Sequence, residues 1–143
     1  MVSFLTVRKQ AKGRTTGMSD VKSTQGKVVH YTEVPAQVFG DQAPGTTIRW
    51  LIDDDHDGAP VYALRLIEVA PGGHTPRHSH PFEHENFVIE GQGRVLVNGG
   101  WHPLKSGDVV FVPGGTEHIY ENTGDSPLKF LCGIPVKQLM PKA

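Results

Sequence analysis

Residues 72–85 read Gly72-Gly73-His74-Thr75-Pro76-Arg77-His78-Ser79-His80-Pro81-Phe82-Glu83-His84-Glu85 and crowd four histidines and two glutamates behind a two-glycine turn. In an extended strand alternate side chains share a face, so His78 and His80 can present two imidazoles to one cation. His84 and Glu85 compete for a third position. Continuous strand parity places His84 with His78 and His80 and sends Glu85 to the opposite face, although Pro81 interrupts the ladder and can reset the register. Parity favours His84. His118 follows the tight turn Pro113-Gly114-Gly115-Thr116 and opens a later strand, which can carry a fourth ring across to the pair. Such a set suits Mn, Fe, Ni, Cu or Zn better than Mg or Ca, which prefer oxygen ligands. Because imidazoles are neutral, the ion keeps its full charge and favours an anionic ligand.

On either side of this stretch the chain is punctuated at short intervals. Strands are expected at 27–31, 46–52, 61–69, 86–89, 94–97, 109–112, 118–121 and 128–134, each closed by Gly, Pro, Asn or Asp. Asn98-Gly99 is the pair that a two-residue hairpin turn demands, since both central positions need positive φ. No long 3.6-residue periodicity interrupts the series. Short strands at near-regular spacing define an all-β sandwich or barrel, of which the jelly roll hosts metal sites between facing strands.

Composition narrows the partners. The chain has 143 residues, one cysteine (Cys132) and a formal net charge of −1, so one domain is expected, with no intrachain disulfide and no basic footprint for nucleic acid or an anionic membrane. A lone thiol points to a reducing, cytoplasmic setting, and no apolar run approaches the roughly 20 residues of a membrane span. Arg8, Lys9, Lys12 and Arg14 precede the first acid, Asp20. Residues 1–26 are therefore expected to be a flexible basic arm and residues 27–143 the barrel domain. Asp53-Asp54-Asp55-His56-Asp57-Gly58 matches the opening of a calcium-binding loop, but position twelve is Leu64 and Pro60 intrudes, so a solvated acidic turn between strands is expected instead.

Gly72, His78, His80, His84 or Glu85, and Gly91 resemble the first cupin motif, G(X)5HXH(X)3,4E(X)6G. Gly107, Pro113, Gly115, His118 and Asn122 fit the second, G(X)5PXG(X)2H(X)3N, at every fixed position. The resemblance runs from about residue 61 to 136 and implies a cupin double-stranded β-helix. Six residues before Gly91 stands His84, not Glu85, which resembles a subgroup of small cupins with a four-histidine, often manganese, site. By that resemblance His78, His80, His84 and His118 are the ligands of one divalent ion, manganese first, and metal-dependent oxidation is an expected activity.

Parity extends the site. If His118 points inward so does Tyr120, and Leu128, Phe130 and Cys132 share the inner face if Lys129 is outward. With Phe111 they would wall an apolar pocket. Tyr120 and Glu83 are the candidate catalytic groups, Glu83 as an orienter of a ligand imidazole or a proton carrier. Arg65 or Arg94 can hold an anionic substrate, and His74 is expected at the lip. The leading function is a dioxygenase-like or peroxide-using oxidoreductase of small molecules. The alternatives are a Lewis-acid isomerase or lyase and a non-catalytic small-ligand binder. A homodimer covering an outer sheet face at Phe87 and Ile89 is expected.

Overall fold

The computed structural model describes residues 25–142; the expected arm lies outside the described residues except for its last two positions. The described residues run through nine strands: β1 (Gln37–Val38), β2 (Thr46–Ile52), β3 (Tyr62–Val69), β4 (His84–Glu90), β5 (Gln92–Val97), β6 (Gly100–Lys105), β7 (Val109–Val112), β8 (Ile119–Asn122) and β9 (Leu128–Pro135). They form a six-stranded sheet in the order β1-β2-β3-β9-β4-β7 and a three-stranded sheet in the order β6-β5-β8, all pairs antiparallel. Val69, Val88, Val95, Val112, Leu128 and Phe130 fill the core. The fold is the expected all-β barrel, built from two facing sheets.

Turn chemistry explains most boundaries. Asn98 (φ 55°) and Gly99 (φ 76°) make the β5–β6 turn, and Val97 pairs with Gly100 directly beyond it. Strand β6 was not expected because Pro103 interrupts its pattern. It is tolerated because β6 is an edge, where a missing N–H faces no partner strand.

Residues 27–31 do not form the expected strand. His30 instead caps a 3-10 turn at Tyr31–Glu33, its ring accepting from the Thr32 N–H while its own N–H donates to Glu33, and this local capping overrides the β-propensity of Val28 and Val29. The acidic turn is a one-turn helix, α1 (Asp54–Asp57), capped by buried Asp53 and closed by Gly58 at φ 70°. Asp57 pairs with Lys27 at 2.7 Å and Asp55 with Lys137 at 2.7 Å, so these carboxylates pin the two ends of the domain to its side. Among the described residues no helix is long and apolar enough to cross a membrane.

Alternation along β4, β7 and β9 determines what reaches the interior. His84, Asn86 and Val88 point in while Glu85, Phe87 and Ile89 point out. In β7 the inward places belong to Val110 and Val112. Phe111 therefore lies on the outer face, 57% exposed, and does not wall the pocket as expected: its hydrophobicity suggested the interior, and its parity forbids it.

Candidate metal centre

The HxH segment is not a ladder strand. His78 forms an isolated bridge with His118, donating to its carbonyl at 3.3 Å and accepting from its N–H at 3.0 Å. The Gly115 N–H donates to the His80 carbonyl at 2.7 Å. A Cβ on Gly114 would collide with the Pro81 carbonyl, so only glycine lets the 113–116 turn lie this close to the histidine loop. These backbone contacts join two segments nearly forty residues apart.

One candidate ligand nitrogen from each of His78, His80, His84 and His118 lies within 4.8 Å of the other three. Neighbouring ring centroids are 4.6 to 5.0 Å apart. His80 Nδ1 lies 2.8 Å from the Phe82 carbonyl and His118 Nδ1 lies 2.8 Å from the Thr116 carbonyl. A carbonyl can only accept, so each Nδ1 carries the proton and each Nε2 keeps a lone pair for a metal. His80 Nε2 and His84 Nε2 are 2.9 Å apart. That spacing requires something positive between them, either a proton of one ring or a cation shared by both. Phe82 stacks on His80 at 3.8 Å and holds its plane.

Electrostatics keep the rings neutral. Partial burial, then the neighbouring His118 and His80, lowers His78 from 6.5 to about 4. Burial followed by the Arg65 charge lowers His84 to about 2. His80 and His118 are also lowered, chiefly by burial. Neutral imidazoles with inward lone pairs are the form that ligates a transition metal, so the residues present fit a divalent ion.

Around the cluster lies a cavity of about 150 Å³ whose wall includes Arg65, Asn86, Tyr120, Phe130, Cys132 and Phe82. Tyr120, Phe130 and Cys132 are where parity put them. The Tyr120 ring stacks on Phe130 at 4.2 Å and its hydroxyl accepts from the Asn86 amide. Burial pushes the phenol above its usual range, so it stays protonated. Cys132 Sγ lies 2.8 Å from Arg65 Nη2 and 3.1 Å from His84 Nδ1. Burial raises this thiol.

Glu83 is exposed and absent from the wall. Its partner is Glu85 on the outer side, whose carboxyl is raised to about 7 by partial desolvation and by the hydrogen bond and charge of Glu83. The expected catalytic place for Glu83 is corrected accordingly: odd parity with the inward His84 turns it away. Glu85 is outside the cluster for the same reason. Arg65 is in the wall, whereas Arg94 faces outward, paired with Glu121 at 2.8 Å and stacked on Trp101. His74 Nδ1 lies 2.9 Å from the Thr75 carbonyl, outside the cavity wall. Asn86 was missed, although its parity with His84 was readable.

A β-barrel enclosing a four-imidazole cluster in an apolar cavity defines a class of metal-binding barrels. The pattern that describes the cupin domain matches residues 65–134. An oxalate-binding protein from Thermotoga maritima is 30% identical over 120 residues, covering 80% of this chain and 98% of the relative. Among solved structures, the polyketide cyclase RemF from Streptomyces resistomycificus superposes with a TM-score of 0.73 at 35% identity, covering 82% of this chain and 83% of that one. A predicted oxalate decarboxylase from Thermotoga maritima gives a TM-score of 0.69 at 26% identity, with 76% and 98% covered. The chain belongs to the cupin superfamily.

Proposed function

We propose that this cupin is a metal-dependent oxidoreductase, dioxygenase-like or peroxide-using, that acts on a small organic anion. The observation that carries the reading is a four-imidazole cluster opening on a cavity whose wall, among the described residues, has a guanidinium and a phenol but no carboxylate. Isomerisation at carbon calls for a base to move a proton, usually a carboxylate or histidine, and here the histidines are occupied as ligands. When bound, a redox-active divalent ion, manganese by resemblance to four-histidine cupins, supplies Lewis acidity and an electron path. His78, His80, His84 and His118 hold it. Arg65 attracts the anion, Tyr120 keeps a proton to donate, and Phe130, Phe82, Ile67 and Phe39 exclude water from the wall.

The test is elemental analysis of protein purified without chelator, beside His84→Ala, followed by oxygen uptake across a panel of small acids. A stoichiometric redox-active metal, lost in the variant, with acid-dependent oxygen consumption is the expected result. Equal turnover with zinc and manganese under anaerobic conditions would overturn it in favour of a Lewis-acid cyclase or isomerase. That second reading draws on the likeness to RemF and on the protonated Tyr120. We also infer a homodimer, because Phe87, Ile89, Val109 and Phe111 expose apolar surface on β4 and the edge strand β7, and a reducing, cytoplasmic setting, because Cys132 is the one cysteine of the sequence.

A further inference from the structure

Among the described residues two buried side-chain polar atoms have no hydrogen-bond partner, Arg65 Nε and Asn86 Oδ1, and both residues belong to the wall of the histidine cavity. One can only donate and the other can only accept. Buried polar groups are almost always paired, so two complementary exceptions in one wall point to a ligand that supplies both partners.

The sheet register explains why they act together. Arg65 on β3 and Asn86 on β4 both stand opposite Cys132 of β9, one from each side. Their Cα atoms are two strand spacings apart, about 10 Å, with the Cys132 sulfur as the floor between them. Arg65 is braced by Trp50, whose ring lies 5.3 Å from the guanidinium carbon, and its other side-chain neighbours are the Cys132 sulfur and the His84 ring, neither of which neutralises it. Asn86 is 3% exposed and its amide nitrogen is committed to the Tyr120 hydroxyl, leaving the oxygen free.

We propose that the cavity selects a small 2-hydroxy carboxylate, the carboxylate facing Arg65 and the hydroxyl donating to Asn86 Oδ1. This rests on the reading above, that the site binds a small organic anion beside a metal, and names the class. A cavity of about 150 Å³ holds a molecule of about six heavy atoms, the size of benzene. A keto acid or a dicarboxylate offers the anion without the donor, and a neutral hydroxy amide offers the donor without the anion. A wall built to accept a hydroxyl proton discriminates strongly against an analogue that lacks it.

Calorimetric titration of manganese-loaded protein with lactate, pyruvate and lactamide tests the assignment in wild type, Asn86→Leu and Arg65→Lys, with manganese content measured on the same samples. Wild type is expected to bind lactate at least about tenfold more tightly than pyruvate or lactamide. In Asn86→Leu the lactate-to-pyruvate ratio should collapse to within about twofold, and Arg65→Lys should weaken both acids. Comparing the ratio between variant and wild type cancels the metal's own preference for either acid. Equal binding of lactate and pyruvate by wild type, or no binding of either, overturns the assignment without recourse to a variant. Failure to take up manganese overturns the metal-dependent reading instead, so the two failures are distinguishable.

Discussion

At the residue scale, Cys132 illustrates how a small side chain can govern a metal ligand. For His84 to offer Nε2 to an ion its Nδ1 must carry the proton, and the acceptor 3.1 Å away is the Cys132 sulfur. Partners of this kind typically change metal affinity by about 10- to 100-fold. Cys132→Val, which fills the space without an acceptor, is expected to weaken manganese binding at least about tenfold, and Cys132→Ser to restore most of it. Equal affinities in a competition assay would assign the cysteine to packing alone. The imidazoles make a second prediction. Above pH 6.5 they are neutral in folded and unfolded chains alike and contribute no pH dependence. Below it the unfolded chain takes up protons that the folded cluster refuses, so the stability of metal-free protein should fall as pH drops from 6.5 toward 4. A flat denaturation midpoint between pH 7.5 and 5 would contradict this. The four histidines were legible because ligand chemistry confines them to a few residue types at readable spacing. Asn86 was not, because its role comes from what lies opposite it on two other strands.

At the scale of elements, the 113–116 turn and the histidine loop are held together by backbone contacts that need no side chain. Gly114→Ala would place a methyl group against the Pro81 carbonyl. A destabilisation of about 2 kcal/mol is expected from overpacking, with weaker metal uptake because His80 shifts with Pro81. Urea denaturation and metal titration check the two effects separately. Strands β2, β7 and β9 were readable almost to the residue, since each combines β-branched runs with turn residues at both ends. The 27–31 segment and β6 were misread for opposite reasons. In the first a histidine cap outcompeted strand propensity, and in the second an edge position rescued a proline-containing strand.

At the scale of the whole molecule, the six-stranded sheet keeps an outer face that the barrel does not use. Glu85 stands opposite Phe111 and Phe87 opposite Val109 across β4 and β7, with Phe87 46% and Phe111 57% exposed. A patch of this kind on an edge favours association, and a stable interface buries about 800 Å² on each partner. Phe111→Glu is expected to shift the protein from dimer to monomer in light scattering while leaving metal content unchanged, since the side chain points away from the cavity. A wild-type monomer at micromolar concentration would remove the claim. Hydrophobicity misplaced Phe111 in the sequence reading, and the strand parity that turns it outward makes it a clean probe of the outer face.

The bridge between His78 and His118 bears on how a metal ion would be acquired. Two of the four candidate ligands are clamped by reciprocal main-chain bonds, and two rings are aimed by carbonyls, so a coordination shell here would be assembled by folding and not by the metal. A pre-formed set of nitrogen donors ranks divalent metals by the general order of stability, in which copper exceeds zinc, iron and manganese. Occupancy then follows what the surroundings supply during synthesis. Protein made in copper-rich medium should emerge with copper, and protein made under manganese supplementation with copper withheld should emerge with manganese, the same polypeptide carrying a record of its own upbringing.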